Sequence, residues 1–492
     1  MSQDINQTSL KDKTIRGVGW SAADSFLGQG VSFLVGIVLA RLLSPSEYGL
    51  IGIVTIFTTI LTGFVDSGFS SALIRKKEIL NDDYNTMFLT NMVMSVLMFV
   101  ILFFCAPLIA NFFEREELTL LTRVMGLILI IQALSIVQNT YLTKKIDFKT
   151  KTKASLIAAV ISGIAGITTA LLDFGVWALV IQMLTNQIIN TLCLWIFNRY
   201  IPRLKFCKEN FGYMWGFGWK MMLSGFLDRL WAQLYQTVVG KCYSPETLGQ
   251  YTRSKQYAQI FSQNFTSIIQ RVTYPVLAET QDDKPRMVAA YRKIIKISMF
   301  VTAICMISLG AISEPLIYSL IGEQWQEAAN FLPLICVSMS LYPLHAINLN
   351  MLQVQGRSDI FLILEIVKKI VAIGPICLGI FIDIYWMLAG SIVAGIISFF
   401  LNSYYTGKNL GYSSWQQLKD VAPSYFIAFA IATSVYFFKY LPLDCYVILA
   451  IQLTVGVGVF FLICYTFKVV EYQEVKKIAT GYCEKIINRK NG

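Results

Sequence analysis

The chain of 492 residues is 55% hydrophobic and only 14% charged, whereas soluble globular proteins carry about 25% charged residues. Long apolar runs recur from end to end, which excludes an ordinary soluble protein and indicates many membrane spans. The formal charge of +11 could suggest nucleic acid, but the basic residues lie in alternate loops and not on one face, so no nucleic-acid partner is expected.

Fourteen apolar stretches with short polar breaks are predicted to cross the membrane as helices, because only internally hydrogen-bonded backbone suits hydrocarbon. The first is too long for a signal peptide and is followed by no cleavage site. Most basic residues outside the spans fall in one alternate set of loops, which predicts cytoplasmic N- and C-termini. The predicted spans are 16–40, 48–67, 85–108, 118–141, 154–172, 176–198, 212–240, 246–275, 293–321, 329–354, 360–382, 384–406, 421–441 and 444–467.

The sequence repeats itself weakly at an offset of 200 residues. Ser44-Pro45 followed by Gly49 corresponds to Ser244-Pro245 followed by Gly249. A favoured turn alone could explain one such match, but several matches in the same order favour a duplication. Six spans per copy predict two lobes in the same orientation, related by an axis along the membrane normal. The predicted domains are 1–205 (spans 1 to 6), 206–407 (spans 7 to 12) and 408–492 (spans 13 and 14 with a tail).

The cysteines do not indicate a cofactor. Most of the ten lie inside apolar runs, and none has paired CxxC spacing. We interpret them as small buried hydrophobic residues, and we expect neither a metal site nor a disulfide framework.

Span 8 carries polar residues in a stripe that lipid could not satisfy. On a helix, one side of the span holds Arg253, Gln256, Gln259, Gln263, Asn264, Ser267, Gln270 and Arg271, whereas Phe261, Phe265, Ile268, Ile269 and Val272 are expected on the opposite side. A hydrogen-bonded seam between helices is the alternative. The length of the stripe favours the wall of a wet cavity.

Other spans also carry charges at membrane depth. Span 7 places Lys220, Ser224 and Asp228 at helical spacing, with Arg229 adjacent. In span 11, Glu365 is within ion-pairing reach of Lys368 and Lys369. Asp24 lies in span 1. Asp66 near the end of span 2 could equally be an interfacial cap close to Arg75.

These charges are mostly positive in the second half of the chain. A cationic, hydrated cavity attracts an anionic substrate, and arginine suits phosphate because it forms paired hydrogen bonds. A pyrophosphate or an acidic sugar would fit such a cavity, whereas a cavity for lipophilic cations would be acidic and aromatic.

Two segments resemble the polysaccharide transporter branch (O-antigen, colanic-acid and lipopolysaccharide precursor exporters) of the MOP exporter superfamily. They are 39–49 followed by 66–75, and 240–251 followed by Tyr274-Pro275 and 281–283, with Gly322 and Trp325 also fitting. The resemblance implies two six-helix lobes around a cationic cavity that opens alternately inward and outward. It implies transfer of an undecaprenyl-pyrophosphate-linked oligosaccharide between leaflets of the bacterial inner membrane, driven by an ion gradient.

The expected roles follow from the helical reading combined with this resemblance. The residues expected to bind substrate are Arg253, Arg271, Lys368, Lys369, Lys220, Arg229, Gln256, Gln263, Asn264 and Gln270. The candidates for H⁺ or Na⁺ coupling are Asp24, Asp228, Glu365 and Asp66. The expected partners are the lipid-linked oligosaccharide, membrane lipid and polysaccharide assembly proteins.

Three other functions were weighed. A multidrug exporter of the same superfamily is the main alternative. A membrane glycosyltransferase or polymerase would need a larger outer loop with catalytic groups. The sequence also shows no set of a nucleophile and a general base, so an enzyme is not expected. ATP-driven transport is not indicated because the chain has no GxxxxGK[ST] phosphate loop.

Overall fold

The computed structural model describes residues 28–66, 68–76, 79–198, 200–280, 283–355, 357–477 and 480. Across these ranges the secondary structure is helical and contains no β-strand, which agrees with the predicted all-α class. By contacts the chain divides into two compact units, the first ending at Gly249 and the second beginning at Gln250. The predicted domain boundaries at 205 and 407 stay a prediction.

The first unit contains nine helices within the described ranges and the start of a tenth. They are α1 (Gly28–Leu42), α2 (Pro45–Asp66), α3 (Phe69–Arg75), α4 (Asn81–Phe113), α5 (Glu117–Met125), α6 (Leu127–Lys144), α7 (Phe148–Leu171), α8 (Val176–Asn198) and α9 (Lys208–Cys242). Helix α10 (Pro245–Glu279) begins in this unit and continues into the second.

The second unit continues with ten further helices in the described part of the chain. They are α11 (Lys284–Ala311), α12 (Ser313–Ile321), α13 (Gln326–Ser340), α14 (Tyr342–Val354), α15 (Ser358–Val371), α16 (Ile373–Phe381), α17 (Ile384–Leu410), α18 (Ser414–Tyr436), α19 (Cys445–Thr466) and the short α20 (470–477). One-turn 3₁₀ helices precede α13 and follow α18.

Each predicted span falls on helical backbone where the structure describes it, apart from single turn residues within spans 4, 9, 10 and 11 and the ends of some spans. Ten helical stretches, some interrupted by a single turn, are long and apolar enough to cross a membrane among the described residues, so the chain is a multi-pass membrane protein. Spans 1, 7, 8 and 11 are not among the ten, and the described part of span 1 is the shorter helix α1. Helices α9 and α10 are 35 residues each but polar, and span 11 is divided into α15 and α16. The total of fourteen and the side of the termini stay predictions.

Glycines allow α9 to approach α2 and α3 closely in the first unit. Gly68, with φ of 69°, lies at the break between α2 and α3, and a Cβ there would overlap the carbonyl oxygen of Gly218 in α9. The Gln236 side chain donates a 2.9 Å hydrogen bond to the carbonyl oxygen of Gly52. The predicted span 7 therefore packs against span 2 within this unit.

The second unit has a buried polar network beside its hydrophobic core. Tyr291 donates from its hydroxyl to Asn348 Oδ1 at 2.8 Å, and Asn348 Nδ2 donates to Gln417 at 3.1 Å. All three side chains are fully buried. They join α11, α14 and α18, so the packing of these helices depends on matched hydrogen bonds as well as on apolar contacts.

Candidate functional site

Three glutamines form an exposed row along α10. Gln256, Gln263 and Gln270 are spaced by seven residues, which keeps them on one side of the helix, and all three are exposed. An interhelical seam would bury them. Hydrocarbon cannot satisfy the hydrogen bonds of glutamine amides, so their exposure agrees with the wall of a wet cavity.

The opposite side of α10 packs inside the second unit through small polar side chains. The hydroxyl of Ser254 donates to the carbonyl of Ala328 at 2.6 Å, and Ser262 donates to the carbonyl of Met339 at 3.0 Å. Phe261, which the sequence places on the side opposite the stripe, is exposed. Buried serines hydrogen-bonded to backbone hold this helix against α13 instead.

Arg253 lies against protein at the edge of the packed face. It is buried, its guanidinium lies 5.9 Å from the Trp325 ring centre, and Nη1 donates to Gln256 Oε1 at 2.7 Å. The sequence predicted that Arg253 itself lines the cavity, but its geometry instead orients Gln256. This hydrogen bond fixes the position of the Gln256 amide, and the residue itself is exposed.

Two other predicted members of the α10 stripe are placed differently. Asn264 is half-buried, and its Nδ2 donates to the carbonyl of Ile260 one turn earlier, at 2.6 Å. The side chain of Arg271 lies outside the described residues, so its predicted substrate contact stays a prediction.

In the first unit, α9 presents the predicted charged face. Lys220, Ser224 and Asp228 are all exposed, as their spacing of four residues predicts. Arg229 is half-buried and lies over Gly63 of α2, where a Cβ would overlap its Nη1. Lys220 and Asp228 therefore remain accessible to a ligand, whereas Arg229 packs between helices.

The charges of α15 partly neutralise one another. Lys368 forms an ion pair with Glu365, one helical turn earlier, and both side chains are largely buried, at 16% and 31% exposure. Lys369 is half-buried beside them. Breaking this pair would leave one charge uncompensated at membrane depth, so the pair lowers the cost of placing either residue in the span.

The remaining coupling candidates are not equivalent. Asp66 accepts a hydrogen bond from Ser70, which in turn accepts one from Thr140, whereas Arg75 lies 5.2 Å from the Phe217 ring. Asp66 therefore takes part in the packing of α2, α3 and α6. Asp24 lies outside the described residues.

The second unit contains a charged cluster around Asp420 that the sequence analysis did not predict. Asp420 is 7% exposed, accepts hydrogen bonds from two nitrogens of Arg292 and from the Tyr412 hydroxyl at 2.7 Å, and forms an ion pair with Lys296 at 3.4 Å. Arg292 and Lys296 lie at the start of predicted span 9, and their shared carboxylate is more than 120 residues away in sequence. Only the tertiary structure brings them together.

No group of three or more His, Cys, Asp or Glu side chains within the described ranges could hold a metal ion.

Among the predicted site residues, the structure brings together Arg253 with Gln256, and Lys368 with Glu365. Lys220, Asp228 and Arg229 belong to the first unit. That they share one cavity with residues of the second unit stays a prediction.

Comparison with known sequences gives the family context. Residues 38–330, more than half of the chain, match the family described as "Polysaccharide biosynthesis protein". The succinoglycan biosynthesis transport protein ExoT of Rhizobium meliloti is 24% identical over 75% of each chain. The lipopolysaccharide biosynthesis protein WzxC of Escherichia coli is 23% identical over 75% of this chain and 76% of its own.

Solved structures share the fold. The lipid II flippase MurJ, in an inward closed conformation, superposes with a TM-score of 0.70 at 16% identity, covering 94% of this chain and 99% of MurJ. An inward-facing multidrug resistance MATE transporter of the MOP superfamily gives a TM-score of 0.60 at 17% identity, covering 79% and 96%. The predicted all-α, multi-pass transporter fold is confirmed.

Proposed function

Because the chain belongs to the polysaccharide biosynthesis protein family, we propose that it is a flippase for a lipid-linked oligosaccharide. It moves a polyprenyl-pyrophosphate-linked sugar from the cytoplasmic to the periplasmic leaflet of the bacterial inner membrane. ExoT is named a transport protein and MurJ a flippase. These names support a transporter and not an enzyme that breaks bonds. Polysaccharide assembly proteins are its proposed partners.

The observation that carries the proposal is the exposed glutamine row of α10. Each glutamine amide offers two donors and one acceptor oxygen, which suits the mixed donors and acceptors of sugar hydroxyls. A row spaced by seven residues at 1.5 Å per residue extends over roughly 20 Å. That length allows several sugar rings to be contacted in succession.

Charged side chains contribute to binding of the pyrophosphate. Lys220 is exposed on α9 and Lys369 is half-buried on α15. Arg253 acts through Gln256, because its donation to Oε1 directs the Gln256 NH₂ toward an acceptor such as phosphate or a hydroxyl. Arg271 and Lys368 complete the proposed cationic set, with Lys368 balanced by Glu365.

Coupling to H⁺ or Na⁺ is assigned to Asp228 in this proposal. It is the described coupling candidate whose residue is exposed, whereas Glu365 and Asp66 are half-buried. A carboxylate in a span can change its charge state when its access alternates between the two sides. Asp24 remains the second candidate.

Transfer of a fluorescent lipid-linked oligosaccharide between leaflets of proteoliposomes tests the function. The triple variant Gln256→Leu, Gln263→Leu, Gln270→Leu should lower the initial rate by at least tenfold while the protein remains folded. Gln353→Leu, an exposed glutamine near the end of α14, is the matched control. Undiminished transport by the triple variant would place the row against lipid, where leucine is favoured, and would exclude the proposed binding wall.

The rival function is drug export, since the MATE fold is also similar. A cationic dye loaded into the same proteoliposomes distinguishes the two functions. Dye efflux without transfer of the lipid-linked oligosaccharide would replace the flippase proposal with a multidrug exporter.

A further inference from the structure

The second unit contains an apolar groove where α19 ends. It has a volume of about 550 Å³ and is formed by α11, α18, α19 and the turn that follows α19, a size in the range of ligand pockets. Phe426 and Phe467 on its rim are 74% and 77% exposed. Since these helices cross the membrane, hydrocarbon is the occupant that such a groove can accept without cost.

The chain turns back at the end of this groove. Lys468 adopts a left-handed conformation, with φ of 47°, and the amide of Val469 donates to the carbonyl of Cys464 at 3.2 Å. The Tyr472 ring of α20 then packs 5.8 Å from Phe460 of α19. Helix α20 therefore lies across the end of the groove and does not extend away from it.

A basic compartment adjoins the groove beneath α20. It has a volume of about 450 Å³ and is lined by Arg292, Lys293 and Lys296 of α11. Val470 and Glu471 line both compartments, so the two lie next to each other. Lys293 forms a 2.8 Å ion pair with Glu474 of α20.

The charge of the combined site is positive. Its lining includes four basic side chains, namely Lys468 and the three of α11, and two acidic ones, Glu471 and Glu474. Asp420 lies behind Arg292 and Lys296 as a third carboxylate. Because Lys293 and Arg292 are 57% and 52% exposed, they can still contact a ligand while they hold their carboxylate partners.

We propose that the groove and the basic compartment together bind an anionic membrane phospholipid. One acyl chain occupies the groove beside Phe426 and Ala430, and the phosphate lies between Lys468 and Lys293. A free anion would not use the groove, and a zwitterionic lipid would not use the excess of cations. Each basic residue close to a membrane surface strengthens binding of anionic lipid roughly fivefold. The site is separate from the transport residues and does not depend on the proposed function.

Substitutions in the ion pair between Lys293 and Glu474 test whether the charge of the site selects anionic lipid. Native mass spectrometry of the purified full chain measures the affinities of dioleoyl phosphatidylglycerol and dioleoyl phosphatidylcholine. Lys293→Gln should lower the preference for phosphatidylglycerol about fivefold, and Glu474→Gln should raise it by a similar factor. Both variants break the same pair, so a purely structural role predicts changes in the same direction. That result, or equal affinity of the unaltered protein for both lipids, would overturn the proposal.

Filling the groove tests the site of the acyl chain. Ala430→Trp adds a large side chain at an exposed position of the groove and should abolish binding of both lipids. Gly458→Trp, at an exposed position of α19 with open space around it, is the matched control and should bind normally. Glycerophosphoglycerol, which has the headgroup without chains, should not bind. Lipid binding unchanged in Ala430→Trp, or headgroup binding as tight as that of the whole lipid, would contradict the proposal.

Discussion

Gly49 lies directly against the backbone carbonyl of Pro245, so that a Cβ on Gly49 would overlap that oxygen. The contact is reciprocal, because a Cβ on Gly249 would overlap the carbonyl of Pro45. These four residues are the equivalent prolines and glycines of the two sequence repeats. The first turns of α2 and α10 thus cross through the two copies of this motif.

Gly49→Ala should destabilise the protein because backbone, unlike a flexible side chain, cannot yield to the added methyl group. Overpacking costs about 1–3 kcal/mol, so the midpoint of thermal unfolding in detergent should fall by several degrees. Gly458→Ala is the control. Its Cβ meets nothing within 4 Å, and the better helix propensity of alanine should raise stability slightly. Equal midpoints for the two variants would show that the crossing is not tightly packed.

The two copies of the motif are visible in the sequence, but their contact is not. A proline followed by glycine four residues later predicts the start of a helix and permits a close approach. It does not specify the surface that approaches. Two copies 200 residues apart can each pack on any neighbour, and only the tertiary structure brings Gly49 to Pro245.

Asp420→Asn should destabilise the second unit. The substitution keeps the shape of the side chain but removes the charge that Arg292 and Lys296 share. Removing one partner of a fully buried ion pair costs 3–5 kcal/mol, and because Arg292 is half exposed we expect about 2 kcal/mol. Thermal unfolding monitored by intrinsic fluorescence measures the change.

Asp359→Asn provides the comparison for Asp420. Asp359 pairs with Arg357 at 3.0 Å in an exposed position, and exposed pairs contribute little to stability. Both substitutions remove one negative charge, but Asp420 is buried and Asp359 is exposed. If Asp359→Asn lowered the unfolding midpoint as much as Asp420→Asn, burial would not be the reason for the effect.

Arg253→Lys should reduce transport without unfolding the protein. Lysine can retain the charge near Trp325 but lacks the planar group that donates to Gln256 Oε1. A hydrogen bond from a charged donor contributes about 1.5 kcal/mol, so the initial rate of leaflet transfer should fall about tenfold. Arg357→Lys, at an exposed arginine, should transport normally. A normal rate for Arg253→Lys would remove Gln256 orientation from the mechanism.

Helical periodicity predicted the exposed row of α10 but not its neighbours. Gln256, Gln263 and Gln270 are placed by their spacing alone, since every seventh residue returns to nearly the same side. Arg253 lies about 60° away from Gln256, near enough to share the stripe in projection. Whether it faces outward or packs on Trp325 depends on α13 and the turn before it, about which periodicity within α10 carries no information.

Lowering the pH should weaken the ion pair between Glu114 and Lys241, which joins the end of α4 to α9. Lys241 donates to Glu114 at 2.8 Å, and this hydrogen bond, with the positive charge of Lys241, holds the pKa of the Glu114 carboxyl below its ordinary value of 4.5. A lowered pKa means that the contribution to stability is present above pH 4.5 and is lost as the pH falls through the folded-state value. The pair is exposed, so its effect should be small and should decrease further in high salt.

Thermal unfolding of the protein and of Glu114→Gln, followed from pH 7 to pH 3, measures this linkage. The unaltered protein should unfold at the higher temperature at neutral pH, and the difference should vanish in acid, because protonation removes from Glu114 the same charge that the substitution removes. Glu116→Gln, at an exposed carboxylate in the same loop, controls for general acid sensitivity. A difference between the protein and Glu114→Gln that persisted at pH 3 would mean that Glu114 acts through packing and not through its charge on Lys241.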